Sequence, residues 1–179
     1  MPPVRTSLRV SHNRRSIRLR GYDYGRSGVY FVTICTHYRG PLLCHVVGGS
    51  VRLTAAGRRV SECWEELPIH FPYLVLDEFV VMPDHVHGVL HIRDCRAGPP
   101  PAVSRFGHPP PDALSSIVGG FKAAASKRIN ADRGIPGAPV WQRNYYESVI
   151  RSNAALDRVR AYIARNPIRL ARTAAKSAR

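Results

Sequence analysis

Apolar side chains recur along the chain at two periods, every second residue and every third or fourth, and the alternation between those periods predicts its elements. Residues 30–36 (YFVTICT) are dense in aromatic and β-branched side chains and predict a strand. Residues 41–50 predict a short hairpin or loop. From Thr54 the period lengthens. Ala55, Val60, Cys63, Trp64 and Leu67 recur at helical spacing, and Pro68 is the expected stop. Residues 74–82 (LVLDEFVVM) predict a second strand, Pro83-Asp84 a break, and residues 85–92 (HVHGVLHI) a third strand, antiparallel to the second through that tight connection. Pro99, Pro100, Pro101, Pro109, Pro110 and Pro111 exclude a helix or central strand over residues 94–113, which are expected to form a loop or flap. Residues 114–130 predict a helix with Leu114, Ile117, Val118, Phe121, Ala125 and Ile129 on one face. Residues 140–150 (VWQRNYYESVI) predict a fourth strand with its approach. Ser152 or Asn153 is expected to cap a last helix that ends near Asn166, where Pro167 follows.

The order strand, helix, strand, strand, helix, strand, then an added helix predicts an α+β, ferredoxin-like split βαβ sandwich. Its sheet is mainly antiparallel, with helices on one face plus a C-terminal helix. A chain of 179 residues fits one such domain, expected over residues 21–170, with an arm at 1–20 and a tail at 171–179. Fold alone names no function, since many RNA binders share this one.

Charge narrows the choice. There are 27 basic against 12 acidic residues, a formal net charge of +15. Such a chain attracts polyanions and releases counterions on binding them. The excess is concentrated: residues 1–20 hold Arg5, Arg9, Arg14, Arg15, Arg18 and Arg20 and no acid, and no acid follows Asp157. Basic ends of this kind are expected to lie on a phosphate backbone. No stretch approaches the roughly 20 apolar residues that a membrane span needs. The arginines at the start have no apolar run behind them, so a secretory signal is not expected. Cys35, Cys44, Cys63 and Cys95 are scattered without a CxxC pair, which argues against a zinc ribbon or disulfide framework and for reduced cysteines in a bacterial cytoplasm.

Two short motifs carry candidate chemistry. His85 and His87 stand at i and i+2 on a predicted strand, so both rings project from one face as a possible pair of metal ligands. His91 shares that parity, so spacing alone does not select the pair. Tyr162 and Asn166 stand four apart near the end of the last predicted helix and share a face. Each motif also has an ordinary structural explanation: sheet histidines, a packed tyrosine, a capping asparagine. Together they match phosphodiester cleavage. A divalent cation held by His85, His87 and Asn166 would polarise the phosphate. A phenol, with a reference pKa of about 10, must lose its proton as it attacks. The resulting phosphotyrosine keeps the bond energy, so rejoining needs no ATP, which suits strand transfer. Tyr145 and Tyr146 are rival nucleophiles without an amide at helical spacing. One of them is expected to face the core and the other to stack on a base. Tyr145 is counted with Lys122, Lys127, Arg128, Arg143, Arg165, Arg169 and the arm residues Arg14, Arg15, Arg18 and Arg20 as candidate DNA contacts.

The words VVMPDHVHGVLHI, SSIVGGFKAAASKRIN, VWQRNYYESVIR and YIARNP, with the opening RRSIRLRGYDYGRSGVYFVTICTHYRG, resemble the REP-associated tyrosine transposases. These are relatives of the single-tyrosine HUH transposases of insertion sequences, and the likeness spans roughly residues 14–170. It implies the HUH fold, Mg2+ or Mn2+ as cofactor, and single-stranded DNA with hairpin or palindromic repeats as substrate. It further implies Tyr162 as nucleophile, His85 and His87 as the metal pair, Asn166 as third ligand, and a possible homodimer. Asn166 stands where the insertion-sequence branch usually has glutamine. Ser148 is a departure from a histidine often found in similar proteins. The alternative is a domesticated, non-catalytic DNA- or RNA-binding regulator of the same fold.

Overall fold

The computed structural model describes residues 27–38, 40–47, 50–93 and 113–177. The expected basic arm, including Arg14, Arg15, Arg18 and Arg20, and the proline-rich loop up to residue 112 lie outside the described residues.

Among the described residues, six strands and four helices follow in the order β1 (Gly28–Cys35), β2 (Cys44–Val47), β3 (Ser50–Leu53), α1 (Ala55–Glu65), α2 (Leu67–His70), β4 (Leu74–Val81), β5 (His85–Ile92), α3 (Ala113–Asp132), β6 (Tyr146–Ile150) and α4 (Asn153–Ser177). The main sheet has the order β4-β5-β1-β6, every pair antiparallel. With the β2–β3 hairpin set aside, this is the split βαβ order that the pattern predicted.

Pleating assigns each face its partner. Tyr30, Val32 and Ile34 of β1 and Val86, Leu90 and Ile92 of β5 point to one face. There they join Val60, Cys63 and Trp64 of α1 and Ile117, Phe121, Ala125 and Ile129 of α3 in the main core. The opposite face is closed by α4 through a smaller cluster: Val89, Leu156 and Ile163, with Val29, Phe31, Val80, Ile150 and Val159 packed around them. The added helix therefore lies across the sheet from the other two.

Local chemistry fixes the helix starts. Thr54 caps α1 by accepting from the Gly57 amide at 3.0 Å, and its hydroxyl reaches back to the carbonyl of Leu42 at 2.8 Å. Ser152, one of the two predicted candidates, caps α4 by accepting from Ala155 at 3.2 Å. Gly88 is required by a close approach. A Cβ there would sit 2.3 Å from the Trp64 ring, which fills the space instead.

Three boundaries differ from expectation. Pro68, the expected stop, sits in the first turn of α2, where its missing amide costs no helical bond, and α1 ends before it at Glu65. The fourth strand is short, because Trp141 makes only an isolated bridge to Thr36 and regular pairing starts at Tyr146. The last helix does not stop at Asn166. It continues through Pro167 to Ser177, into the expected tail. Proline removes one amide donor from a helix interior and crowds the preceding turn. Here good helix formers flank it (IARN before, IRLARTAAK after) and α4 also packs on the β2–β3 hairpin, so the helix survives.

Candidate active site

Strand register brings the chemistry together. Thr33 of β1 lies opposite His87 of β5, and Cys35 opposite His85. His85, His87, Val89 and His91 all face α4, as the i, i+2 spacing predicted. His91 is then drawn aside: its Nε2 lies 2.7 Å from Oδ2 of Asp77 on β4. That leaves His85 and His87 as the pair, with their Nε2 atoms 3.1 Å apart.

Each ring is held from behind. His85 Nδ1–H donates to Asp84 Oδ1 at 2.7 Å, and His87 Nδ1 lies 2.8 Å from Thr33 Oγ1. The Asp84 contact leaves the His85 Nε2 lone pair facing His87. A threonine hydroxyl both donates and accepts, so His87 Nε2 presents a second lone pair when Thr33 accepts from Nδ1 and an N–H when Thr33 donates to it. Phe31 lies against the His87 ring, centroids 5.3 Å apart at 29°, and meets Tyr162 edge-on at 6.1 Å. His87 is 5% exposed, and its pKa falls to about 4, first because burial penalises the imidazolium and then because His85 is adjacent. It is therefore neutral near pH 7, the form that ligates metals.

Tyr162 extends from α4 to this pair. Its hydroxyl lies 3.4 Å from His87 Nε2, and the two rings stand 5.3 Å apart at 63°. The phenol is 44% exposed and lines a cleft of about 480 Å³ with Arg158, Arg165 and Arg169. Asn166 follows one turn later. Its side-chain Nδ2 is shut off from solvent and has no hydrogen-bond partner among the described residues. Nitrogen and oxygen of an amide exchange places by a half-turn, so an oxygen is equally available there.

The donor set fits a divalent cation. Two ligands about 2.1 Å from one ion and about 90° apart are separated by about 3.0 Å, close to the observed 3.1 Å. The same separation accommodates either one proton, as an N–H···N bond, or a shared cation. Among the described residues no group of three or more His, Cys, Asp or Glu could hold a metal ion.

The other predicted residues are distributed differently. Lys122, Lys127 and Arg128 lie on α3, across the sheet from Tyr162. The Lys122 amine donates to the carbonyls of Gln142 at 2.6 Å and Arg143 at 3.0 Å, and burial lowers its pKa. Arg128 is clamped to Glu66 by two bonds, of 2.9 and 2.5 Å. Lys127 and Arg143 are exposed. Of the rival tyrosines, Tyr145 leans on the main core with its hydroxyl 3.4 Å from Ser115 Oγ, and Tyr146 is 54% exposed. Sequence reasoning missed Phe31, Thr33 and Asp84. Asp84 was findable as the acid directly before His85. Thr33 and Phe31 become visible only once the β1–β5 register is known.

Comparison with known proteins places the chain. An uncharacterized protein of Haemophilus influenzae is 37% identical over 163 residues, which span 88% of this chain and 89% of the relative. The chain belongs to the same family as that protein. No protein-family model matches it. Among solved structures, a REP-associated tyrosine transposase bound to a REP hairpin matches with a TM-score of 0.58 and 20% identity, over 85% of this chain and 73% of the other. The chain shares the fold of that REP-associated tyrosine transposase, the fold that its sequence words implied. Among the described residues, no helix is long and apolar enough to cross a membrane.

Proposed function

We propose that the chain is a REP-associated tyrosine transposase: a metal-dependent endonuclease and strand transferase that cuts single-stranded DNA beside a hairpin repeat through Tyr162. One observation carries this reading. The Tyr162 hydroxyl, 75 residues away in sequence, lies 3.4 Å from the nitrogen of a histidine pair whose geometry suits a cation. The solved structure of the same fold, which holds a REP hairpin, supports the choice of substrate.

In this proposal His85, His87 and Asn166 hold Mg2+ or Mn2+, the imidazoles favouring Mn2+. The ion, when bound, supplies Lewis-acid polarisation of the scissile phosphate. The protein does the rest. Thr33 and Asp84 fix the imidazole orientations, and Phe31 walls one side of the His87 ring. Arg165 and Arg169, in the cleft with Tyr162, hold backbone phosphates. The Tyr162 oxygen attacks phosphorus and gives its proton to water. The bond from phosphorus to the 3′ oxygen breaks, and that oxygen leaves as a hydroxyl. The 5′-phosphotyrosine then awaits attack by another 3′ hydroxyl, which reverses the step and releases the tyrosine.

The test is to incubate purified protein with a labelled single-stranded hairpin repeat and manganese, then run a denaturing gel. A shifted covalent band that disappears in Tyr162→Phe is expected. Tight binding without a band in any metal would overturn the enzymatic reading and leave a binding regulator.

A further inference from the structure

The strand β4 breaks register with β5 between Leu76 and Phe79, so Asp77 and Glu78 together stand opposite one residue of β5. A bulge of this kind re-aims side chains. Asp77, two residues after Val75, shares the face that α4 covers, and the extra residue returns Phe79 to the core face opposite Gly88. Asp77 accepts two bonds from Arg160 of α4, from Nε at 2.9 Å and from Nη2 at 2.6 Å, and a third contact from His91 Nε2 at 2.7 Å. Its side chain is only 12% exposed. Arg160 stands two residues before Tyr162, on the flank of α4 toward β4. A weaker contact joins it to Asp157 at 3.5 Å.

We infer that Asp77 and Arg160 are positioning residues that set the rotation of α4 and so aim Tyr162 at the histidine pair. The inference rests on the proposed role of Tyr162. Its physical basis is a contrast between two kinds of contact. The apolar patch beneath α4 has three buried residues, Val89, Leu156 and Ile163. Burial of that kind is non-directional and sets the rotation of a helix less sharply than a hydrogen-bonded pair does. A two-bond guanidinium–carboxylate pair is directional and off-axis, so it opposes rolling. A helix with its side chains has a radius of about 5–6 Å, so a roll of about 20° moves a side-chain tip by about 2 Å. A displacement of about 1 Å is enough to cost about a hundredfold in rate where two groups must meet. From this position on β4 the aspartate reaches Arg160 and His91 together.

Two variants test the pair, Asp77→Asn and Arg160→Met, with their double. Single-turnover cleavage of the labelled hairpin is expected to slow by about 10- to 100-fold in each single variant. Oligonucleotide affinity, measured by anisotropy, should stay near wild type. The double variant should be no slower than the worse single one, because both changes break one contact. A purely structural loss would lower the melting temperature without separating rate from affinity. A role for Arg160 in gripping DNA would weaken binding in Arg160→Met alone. Either of those results overturns the inference. A readout independent of activity is amide exchange by mass spectrometry. Residues 156–166 should exchange faster in Asp77→Asn, while α1 and α3 stay unchanged. Unchanged exchange in α4 overturns the inference even if cleavage falls. Faster exchange together with an inactive wild-type protein would uphold the positioning contact and remove the catalytic reading instead.

Discussion

Gly88→Ala connects the core to the site in one methyl group. Gly88 follows His87 on β5, and its missing side chain is replaced by the ring of Trp64. A Cβ at this position would lie 2.3 Å from Cζ2 and 2.4 Å from Cη2 of that ring. Carbon atoms rest at about 3.5–4.0 Å, so something must move by more than about 1 Å. The indole cannot yield easily. It is 2% exposed, stacked on Phe79 at 4.4 Å and met edge-on by Phe121 at 5.4 Å. Overpacking of this kind costs about 1–3 kcal/mol, and alanine recovers about 0.5–1 kcal/mol of backbone entropy, leaving a net loss of about 1–2 kcal/mol. For a chain of this length that is a fall of about 2–8 °C in melting temperature. If β5 gives way in place of the indole, His87 moves with it and adduct formation slows as well. Gly119→Ala is the matched control. Nothing lies within 4 Å of a Cβ there, and the site is inside α3. Alanine should therefore stabilise by about 0.5–1 kcal/mol. Scanning calorimetry of the three proteins decides the matter. A Gly88→Ala protein melting at or above wild type would refute the packing argument.

Three further outcomes are expected. Thr33→Val removes the oxygen beside His87 Nδ1 with little change of shape, and should weaken Mn2+ binding by about 10- to 100-fold in titration calorimetry; equal affinity would show that Thr33 does not orient the ring. Arg160, opposed in part by burial, holds the Asp77 carboxyl well below the usual carboxylate range. A depressed folded pKa contributes stability that is complete above the unfolded value of about 3.9 and lost as pH falls through the folded value. The melting gap between wild type and Asp77→Asn should thus be widest near neutral pH and close in acid; a gap independent of pH would contradict it. Ile163→Ala empties the centre of the patch beneath α4 and should destabilise by about 2–5 kcal/mol, read by urea unfolding.

The chain displayed some of this architecture openly and concealed the rest. Period and breaker residues located β1, α1, β4, β5 and α3 because each carries a dense apolar run or stripe between clear breaks. The HxH spacing put both histidines on one side without any knowledge of neighbours, since pleating alone decides it. Other features depend on pairing. Thr33 meets His87 only through the β1–β5 register, and Asp77 meets Arg160, 83 residues away, only once α4 lies across the sheet. No local pattern encodes either. Pro167 misled because its local preference for ending a helix is real, and it was overridden by the flanking helix formers and the hairpin that α4 packs on. Arg128 resembled a free basic contact until its partner Glu66, 62 residues away, was in place. His91 shared the parity of the ligand pair and was separated from it only by Asp77.

The central claim is that one phenol and one imidazole pair, distant in sequence, form a single reacting centre. Protease digestion and mass spectrometry of protein trapped on a hairpin oligonucleotide with manganese test it most directly. The account predicts a nucleotide-modified peptide containing Tyr162, and none when His85 and His87 are both replaced by alanine. A modified peptide carrying Tyr145 or Tyr146, or modification that persists without the two histidines, would contradict it.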